Sequence, residues 1–400
     1  MIAHRFRWLA LSVFVVSSAI NYLDRQTLAT VAPLVRGEFH LSNAKYGLIL
    51  TAFSIAYAIS APLAGILIDR IGLNLAISLA VGIWSCAGIA TGFTRSLFGL
   101  LACRGILGAS EAAGIPGAGK AIHRYLLPAE RALGNALNQA GVSLGLILAP
   151  PLATWLAVTY GWRRAFVVTG ILGLIWIPVW NRTAHTVERV SPPPSGAADS
   201  PGGPLPPLLR SRRLWALVAA NALNMSVYSL WTNWTTLYLV ETRHLTLVAA
   251  AWFAWIPPVL ATFGGFAGGW LSLRWIRAGS PAVPARTRVC LAGALLALPT
   301  MAVPYLPGAG WAIAGISLSI LAVSAVSVNV YTIPLDTFGG AHAAFAVSML
   351  VASYGGVQAL ISPAIGAMVD AHGYGPVCIA AAFTPLMAYF VLRSTESTLV

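Results

Sequence analysis

The stretch NYLDRQTLAT, residues 21–30, places two charged side chains inside a long apolar segment. The apolar run around it, residues 8–32, is long enough to cross a bilayer, since a spanning helix needs about 20 mostly apolar residues. Asp24 and Arg25 therefore lie at membrane depth, where a charge costs roughly 2.5–3.5 kcal/mol. A cost of this size predicts that the two side chains have a function or a buried partner.

The composition of the chain is that of a membrane protein. It has 400 residues, of which 58% are hydrophobic and 9% are charged, whereas a soluble domain has about 25% charged residues. Its apolar runs are continuous rather than alternating, which favours spanning helices over strands. The four cysteines lie within apolar runs and form no CxxC pair, so neither a disulfide framework nor a metal site is indicated. We expect an all-α polytopic membrane protein without a metal or organic cofactor.

Twelve segments are long and apolar enough to span a bilayer. They cover residues 8–32, 46–68, 74–94, 97–118, 133–157, 164–183, 214–240, 248–273, 288–306, 310–333, 343–368 and 375–393. Between the sixth and seventh lies SPPPSGAADSPGGPLPP, residues 191–207, whose composition is typical of a flexible linker. We predict an N-terminal six-helix half over 1–186, a linker over 187–212 and a C-terminal six-helix half over 213–400.

The two halves carry related sequences. APPLATWLAVTYGW at 149–162 parallels SPAIGAMVDAHGYG at 362–375. Duplicated six-helix halves are a known plan of secondary transporters, which bind their substrate between the halves near the membrane midplane. Chance similarity among helices rich in Gly, Ala and Pro is the alternative explanation. The repeat predicts two pseudo-symmetric halves.

The distribution of basic residues predicts the orientation of the chain. If the N-terminus is cytoplasmic, the inside segments hold sixteen Lys and Arg residues and the outside loops hold six. Because cytoplasmic loops carry the excess of basic residues in membrane proteins, we predict that both termini and the linker are cytoplasmic. This bias accounts for most of the net charge of +13, so the expected partner is the lipid bilayer and not nucleic acid.

Four ionisable residues remain deep within the spans, Asp24, Arg25, Arg104 and Glu111. Arg104 and Glu111 are seven residues apart, which places them on one helix face about 10 Å apart in height. Asp24 and Arg25 diverge by about 100°, so one can face a cavity while the other pairs with span four. An inert ion network that joins two helices is the alternative, but small residues join membrane helices more cheaply.

The chemistry that these charges indicate is proton coupling. With both acids ionised, the four charges cancel. With both acids protonated, two guanidiniums remain, and each presents a planar fork that suits a carboxylate or a phosphate. Protons would thus recruit an anionic substrate, with Asp24 and Glu111 as proton carriers and Arg25 as the reader of the anionic group.

Polar and aromatic residues within the spans are candidates for the remainder of a substrate cavity. They are Tyr57, Asn138 and Gln139 in the first half and Trp231, Asn233, Asn329, Tyr331, Tyr354 and Gln358 in the second. Each residue could instead have a structural role, since Tyr and Trp also mark the membrane interface and Asn and Gln also form hydrogen bonds to neighbouring helices. No span combines a nucleophile, a base and an oxyanion donor, so we do not expect an enzyme.

The loop GILIDRIGLN at 65–74 resembles the G-x3-D-R-x-G-R-[RK] motif of the major facilitator superfamily. The resemblance implies twelve helices in two six-helix halves, with Gly65, Asp69 and Arg70 acting in a cytoplasmic gate. The sequence departs from the motif at Leu73 and Asn74, which replace its basic pair.

The chain is also similar to the anion:cation symporter family, which includes bacterial hexuronate, galactonate and glucarate transporters. The similarity is carried by NYLDRQTL in span one and RGILGASEAAGIP in span four. It implies that Asp24 and Glu111 take up protons, that Arg25 and Tyr57 contact the substrate, and that Arg104 engages Glu111.

The expected function is proton-coupled import of a small organic anion, such as a hexuronate or an aldonate, by alternating access. The resemblance places the protein in a bacterial inner membrane, and we expect a monomer. Two alternatives remain, an organic-anion exchanger and a proton-coupled exporter of amphipathic compounds. A transporter-like sensor would need a signalling domain, for which the termini and the linker are too short.

Overall fold

The computed structural model describes residues 2–126, 130–190 and 209–395. These residues are almost entirely helical and contain no strand, which confirms the all-α prediction. The predicted linker segment 191–207 lies outside the described residues, so its conformation stays a prediction.

The helices before the linker are seven in number among the described residues and are named here in chain order. They are α1 (Ile2–Phe39), α2 (Asn43–Ile71), α3 (Leu73–Thr91), α4 (Leu97–Glu111), α5 (Gly114–Tyr125), α6 (Arg131–Tyr160) and α7 (Trp162–Val190). The helices after it are α8 (Arg212–Leu237), α9 (Leu247–Ala254), α10 (Ile256–Arg277), α11 (Ala282–Ala297), α12 (Gly308–His372) and α13 (Tyr374–Arg393). A π-helical turn, Tyr238–Thr242, follows α8, and a 3-10 helix, Leu298–Tyr305, follows α11.

Eleven helical stretches within the described residues are long and apolar enough to cross a membrane. Large apolar side chains such as Phe98, Trp252 and Leu360 are more than 70% exposed, and an apolar surface of this kind suits a lipid environment. The predicted span 214–240 corresponds to α8, whose 26 residues are long enough to cross. Its buried Asn221 and Asn224 lower its hydropathy, which explains why it is not one of the eleven.

The predicted spans 310–333 and 343–368 both lie within the helical segment α12, Gly308–His372. Asn224 donates to the Val323 carbonyl (3.0 Å) and Asn221 donates to the Leu350 carbonyl (2.8 Å). Val323 and Leu350 would be about 40 Å apart along a straight helix, whereas the two asparagines are about 4.5 Å apart in height. The chain therefore reverses between them, and α12 contributes two spans, Gly308–Phe338 and Phe345–His372.

The chain divides into two compact units. Unit 1 comprises the described residues of Met1–His40 and Ala52–Asp199, and unit 2 comprises those of Leu41–Thr51 and Ser200–Val400. The boundaries differ from the predicted halves because the first turns of α2 count with unit 2. There the Asp370 carboxylate accepts hydrogen bonds from the Asn43 backbone N–H (3.0 Å), the Asn43 side-chain amide (2.8 Å) and the Ala44 N–H (2.9 Å).

Small residues set the helix packing inside each unit. In unit 1, a side chain at Gly141 or Gly145 of α6 would collide with the backbone of α1 at Val15 and Ala19. In unit 2, a side chain at Gly264 of α10 would likewise collide with α12 at Leu321. Glycines spaced by four residues let membrane helices approach at backbone distance.

The predicted span 97–118 is broken in the structure. α4 ends at Glu111, and α5 begins at Gly114 after a turn at Ala112–Ala113. A comparable break separates α9 from α10 at Trp255, where Pro257 occupies the first turn of α10. Discontinuous spans of this kind are typical of the substrate sites of secondary transporters, and the break after Glu111 leads directly to the charged residues of unit 1.

Candidate substrate and coupling site

The centre of the candidate site is an ion pair between α1 and α4. Arg25 donates two hydrogen bonds to one carboxylate oxygen of Glu111, Oε2, from Nε at 3.0 Å and from Nη2 at 2.9 Å. The Glu111 side chain is fully buried and the Arg25 side chain is 18% exposed. The other carboxylate oxygen of Glu111, Oε1, is buried and has no hydrogen-bond partner among the described residues. Arg25 is thus the member of the charged pair in span one that donates hydrogen bonds to Glu111 of span four.

An aromatic cage encloses the Arg25 guanidinium. Its central carbon lies 4.8 Å from the ring centre of Tyr22, 4.8 Å from that of Phe53 and 4.9 Å from that of Tyr57. The Phe53 and Tyr57 rings stack on each other at 5.8 Å. Cation–π contacts of this kind contribute about 0.5–2 kcal/mol each. They hold the guanidinium in place, and its N–H groups donate to Glu111.

Asp24 is 3% exposed, and within the described part of the chain its carboxylate oxygens accept no well-formed hydrogen bond, although the Thr169 hydroxyl, which donates to the Phe166 carbonyl at 3.2 Å, lies beside them. Its polar neighbours are Thr169 of α7, Glu111 and Arg104. The Arg104 guanidinium also lies 5.6 Å from the ring centre of Phe166. Buried polar atoms without a partner are rare enough to need an explanation, and proton binding is one that a carboxyl group offers.

The break after Glu111 and a close helix contact together position the ion pair. A side chain at Gly108 of α4 would overlap the carbonyl oxygen of Phe53 in α2. Because Gly108 has none, α4 approaches α2 at the level of Phe53, one turn before Glu111. The same approach brings the aromatic residues of α2 and the carboxylate of α4 around one guanidinium.

The two polar candidates in α6 have different environments. Asn138 is half-buried and accepts a hydrogen bond from the Ser18 hydroxyl of α1 at 2.7 Å. Gln139 is exposed. The bond from Ser18 ties Asn138 to the packing of α1 against α6, and a binding role for either residue stays a prediction.

The second-half candidates lie in unit 2. Asn329 is fully buried, and its amide donates to the carbonyls of Gly268 (3.1 Å) and Ala325 (2.9 Å). Trp231 is 2% exposed, and its buried indole N–H has no hydrogen-bond acceptor in the part of the chain that the structure describes. Gln358 is buried, whereas Tyr331 and Tyr354 are half-buried. Through these two hydrogen bonds Asn329 joins α10 to α12, which is the structural role given above as the alternative to substrate binding.

The gating candidates lie at the end of α2. Gly65 has open space where a side chain would project, and Arg70 is exposed. The backbone of Asp69 is helical, but its side chain lies outside the described residues. A gating role for these residues therefore stays a prediction.

Sequence reasoning missed three residues that contact the charged group. Tyr22 precedes Arg25 by three residues and Phe53 precedes Tyr57 by four, so helical spacing places each on the face of a residue already identified. Thr169 carries no such signal, because it reaches Asp24 only through the packing of α7 on α1. Within the described residues, no three His, Cys, Asp or Glu side chains come together as metal ligands would.

Comparisons with known proteins agree with this architecture. A family model described as the Major Facilitator Superfamily matches residues 14–350. The hexuronate transporter of Escherichia coli K12 is 27% identical, over 96% of this chain and 93% of that protein. The galacturonate transporter of Dickeya chrysanthemi is 29% identical, over 67% and 81%. A crystal structure of a bacterial homologue of the human lysosomal transporter Spinster, inward-facing and occupied, has a TM-score of 0.75 at 21% identity, over 98% of this chain and 95% of that one.

Proposed function

Because the chain belongs to the Major Facilitator Superfamily, a family of membrane transporters and not enzymes, we propose that it imports a small organic anion together with protons by alternating access. The observation that carries the proposal is the buried Arg25–Glu111 ion pair within the spans of unit 1. A membrane protein tolerates such charges where they bind substrate or relay protons.

Competition for Arg25 couples the anion to the proton. While Glu111 is ionised, its Oε2 accepts both hydrogen bonds from Arg25. Protonation of Glu111 removes the negative charge from this pair, and the Arg25 guanidinium then donates its hydrogen bonds to the carboxylate of the substrate. Since binding linkage is reciprocal, the substrate in turn favours the protonated form of Glu111.

Asp24 is proposed as the second proton carrier. Its two carboxylate oxygens are buried and accept no well-formed hydrogen bond among the residues that the structure describes, and Thr169 and Arg104 lie among its neighbours. Release of the proton from Asp24 leaves a carboxylate that Arg104 neutralises. The empty carrier can then return across the membrane without a net charge at the site.

The substrate is proposed to be a sugar acid such as a hexuronate or an aldonate. Two relatives that align over most of their lengths are a hexuronate and a galacturonate transporter. The Arg25 guanidinium supplies the contact to a carboxylate, and the Tyr57 hydroxyl and Asn138 amide supply partners for sugar hydroxyls. We further propose a monomer in a bacterial inner membrane with both termini cytoplasmic.

Uptake by proteoliposomes tests the proposal. Labelled galacturonate, glucuronate and galactonate are offered under an inward proton gradient to the wild type and to Asp24→Asn, Glu111→Gln and Arg25→Ala. Glu241→Gln removes an exposed acid of unit 2 and serves as the matched control. We expect gradient-driven accumulation by the wild type and the control, none by the acid variants, and no substrate binding by Arg25→Ala.

Two results would overturn the proposal. Failure of all three sugar acids to move would exclude the substrate class. Transport that ignores both the gradient and the acid variants would make the charges structural and would favour an anion exchanger. Exchange that survives in Glu111→Gln while accumulation is lost would assign proton coupling, rather than substrate recognition, to Glu111.

A further inference from the structure

A cavity of about 470 Å³ lies in unit 1 where α2 ends and α3 begins. Its wall is formed by the start of α3, the end of α5 and the last third of α7. None of its lining residues belongs to the Arg25–Glu111 site. Its volume falls within the range of roughly 300–1,000 Å³ that is usual for ligand pockets.

The described lining of the cavity contains several hydrogen-bond donors and one formal positive charge, that of Arg124. It includes Arg124 of α5 and Asn181 and His185 of α7, together with Asn74 and Ser78 of α3. The Ser78 hydroxyl donates to the Asn181 side-chain oxygen at 3.0 Å, which fixes the orientation of that amide. The lining residues that the structure describes include no Asp or Glu.

The guanidinium of Arg124 and the imidazole of His185 are suited to an anion. A guanidinium carries five N–H donors, more than one carboxylate or carbonyl can accept, and an imidazole keeps at least one N–H in either protonation state. On α7, Arg182 and Arg189 lie three and four residues from His185 and are exposed. These spacings share one helix face with Glu188, three residues beyond His185, so this face of α7 carries two basic residues and one acid beyond the cavity.

The start of α3 adds a second source of positive potential. Gly72, with φ of 84°, precedes the helix and, having no side chain, makes no capping hydrogen bond to its first N–H groups. Leu73 and Asn74 are among the lining residues, so these N–H groups border the cavity. Helix N-termini attract phosphate through their N–H groups and the helix dipole, and here they act together with Arg124 and His185.

The departure from the loop motif noted in the sequence explains why this space is open. Asn74 lines the cavity, and Leu73 is 1% exposed. A long basic side chain at Asn74 would extend into the space that the shorter amide leaves empty. In this chain the positive charge comes from α5 and α7 instead, and the cavity between them remains accessible.

We propose that this cavity binds a phosphate group, that of an anionic phospholipid in the membrane leaflet on this side. Basic pockets between membrane helices bind the headgroups of anionic lipids. α2 ends on the side of the membrane where α1 begins, because two spans return the chain to the same side. That side carries most of the basic residues of the chain. A bound headgroup would join α3, α5 and α7 and stabilise unit 1.

Thermal unfolding in nanodiscs tests this inference without any transport measurement. The full-length protein is reconstituted in phosphatidylcholine with or without 30% phosphatidylglycerol, and native mass spectrometry counts the lipids that it retains. A second arm adds inorganic phosphate or glycerol phosphate to protein in pure phosphatidylcholine. The variants are Arg124→Gln and His185→Gln, and the matched control is Arg277→Gln, which removes an exposed charge at the end of α10.

Phosphatidylglycerol should raise the Tm of the wild type and of Arg277→Gln by about 3–5 °C, with at least one retained lipid. Each cavity variant should lose more than half of this rise. If Arg124→Gln fails to fold, His185→Gln still tests the proposal, because the His185 side chain is exposed and its replacement should not prevent folding. Saturation of the same rise by inorganic phosphate would identify a soluble phosphate as the ligand. Equal effects of the two lipids without any effect of phosphate, or equal losses in His185→Gln and Arg277→Gln, would overturn the proposal.

Discussion

Replacement of Glu111 by Gln removes the competitor for Arg25 while keeping the size of the side chain. In the wild type, Arg25 donates its bonds at 3.0 and 2.9 Å to one oxygen of an ionised carboxylate. The amide that the Glu111→Gln substitution introduces can still accept a hydrogen bond, but it carries no charge. The substrate carboxylate would therefore meet a guanidinium that no anion neutralises.

The size of the effect follows from this contact. Hydrogen bonds to charged groups contribute about 1.5–3 kcal/mol, and each 1.4 kcal/mol corresponds to a tenfold change in affinity. If displacing Glu111 costs about one such contribution, the variant should bind the substrate roughly 10–150-fold more tightly at a pH where Glu111 is ionised. Because one proton no longer accompanies binding, the slope of log Kd against pH should fall by about one.

The assay is equilibrium binding of galacturonate to purified protein between pH 5.5 and 8.5. The wild type should lose affinity as the pH rises, since ionised Glu111 then competes for Arg25. Glu111→Gln should show tight binding with a shallower pH dependence, and Glu241→Gln should follow the wild type. Asp24→Asn, measured in parallel, reports the part of the pH dependence that belongs to the second acid.

An unchanged pH slope in Glu111→Gln would refute the competition mechanism. Weaker binding at high pH would also refute it, because the carboxylate would then support the substrate instead of competing with it. Either result would leave the ion pair as a structural link between α1 and α4, whose loss lowers the Tm without a specific effect on binding.

Two further predictions concern packing and helix ends. Gly108→Ala should lower the free energy of unfolding by about 1–3 kcal/mol, as overpacking does, because the new methyl group overlaps the Phe53 carbonyl. The control is Gly105→Ala in the same helix, where the side chain would project into open space and the Tm should stay unchanged. Equal Tm values for the two variants would contradict the close approach of α4 and α2. Asp370→Ala removes the acceptor of three hydrogen bonds at the start of α2 and should destabilise by about 1 kcal/mol, since Asp370 is exposed. A reduced Tm with faster hydrogen exchange at Asn43 would support that contact, and wild-type exchange there would exclude it.

The spans and the intramembrane charges could be predicted because the signals are local. A window of apolar residues identifies a membrane helix whatever surrounds it, and a charge such as Glu111 stands out against that background. The span over α8 illustrates the limit of this signal. Its asparagines lower the mean hydropathy of the segment, yet Asn221 and Asn224 are buried and hydrogen-bonded to α12.

The arrangement within the charged group could not be predicted to the same depth. The sequence left open whether Asp24 or Arg25 would bind span four, because the two residues are adjacent on α1 and the sequence does not give the rotation of that helix. The predicted span 97–118 missed the end of α4 at Glu111. The turn at Ala112–Ala113 is built from residues that favour helices, and only Gly114 and Pro116 just after it weaken a continuous helix.

The sequence by itself determined the membrane environment, the number and position of the spans and the identity of the buried charges, since each depends on the transfer of side chains from water to lipid. Only the tertiary structure decided that Arg25 pairs with Glu111, that Tyr22, Phe53 and Tyr57 enclose it, and that Thr169 faces Asp24. These contacts depend on the rotation and separation of helices that are distant in sequence. Glycines such as Gly108 set those separations by allowing backbones to touch.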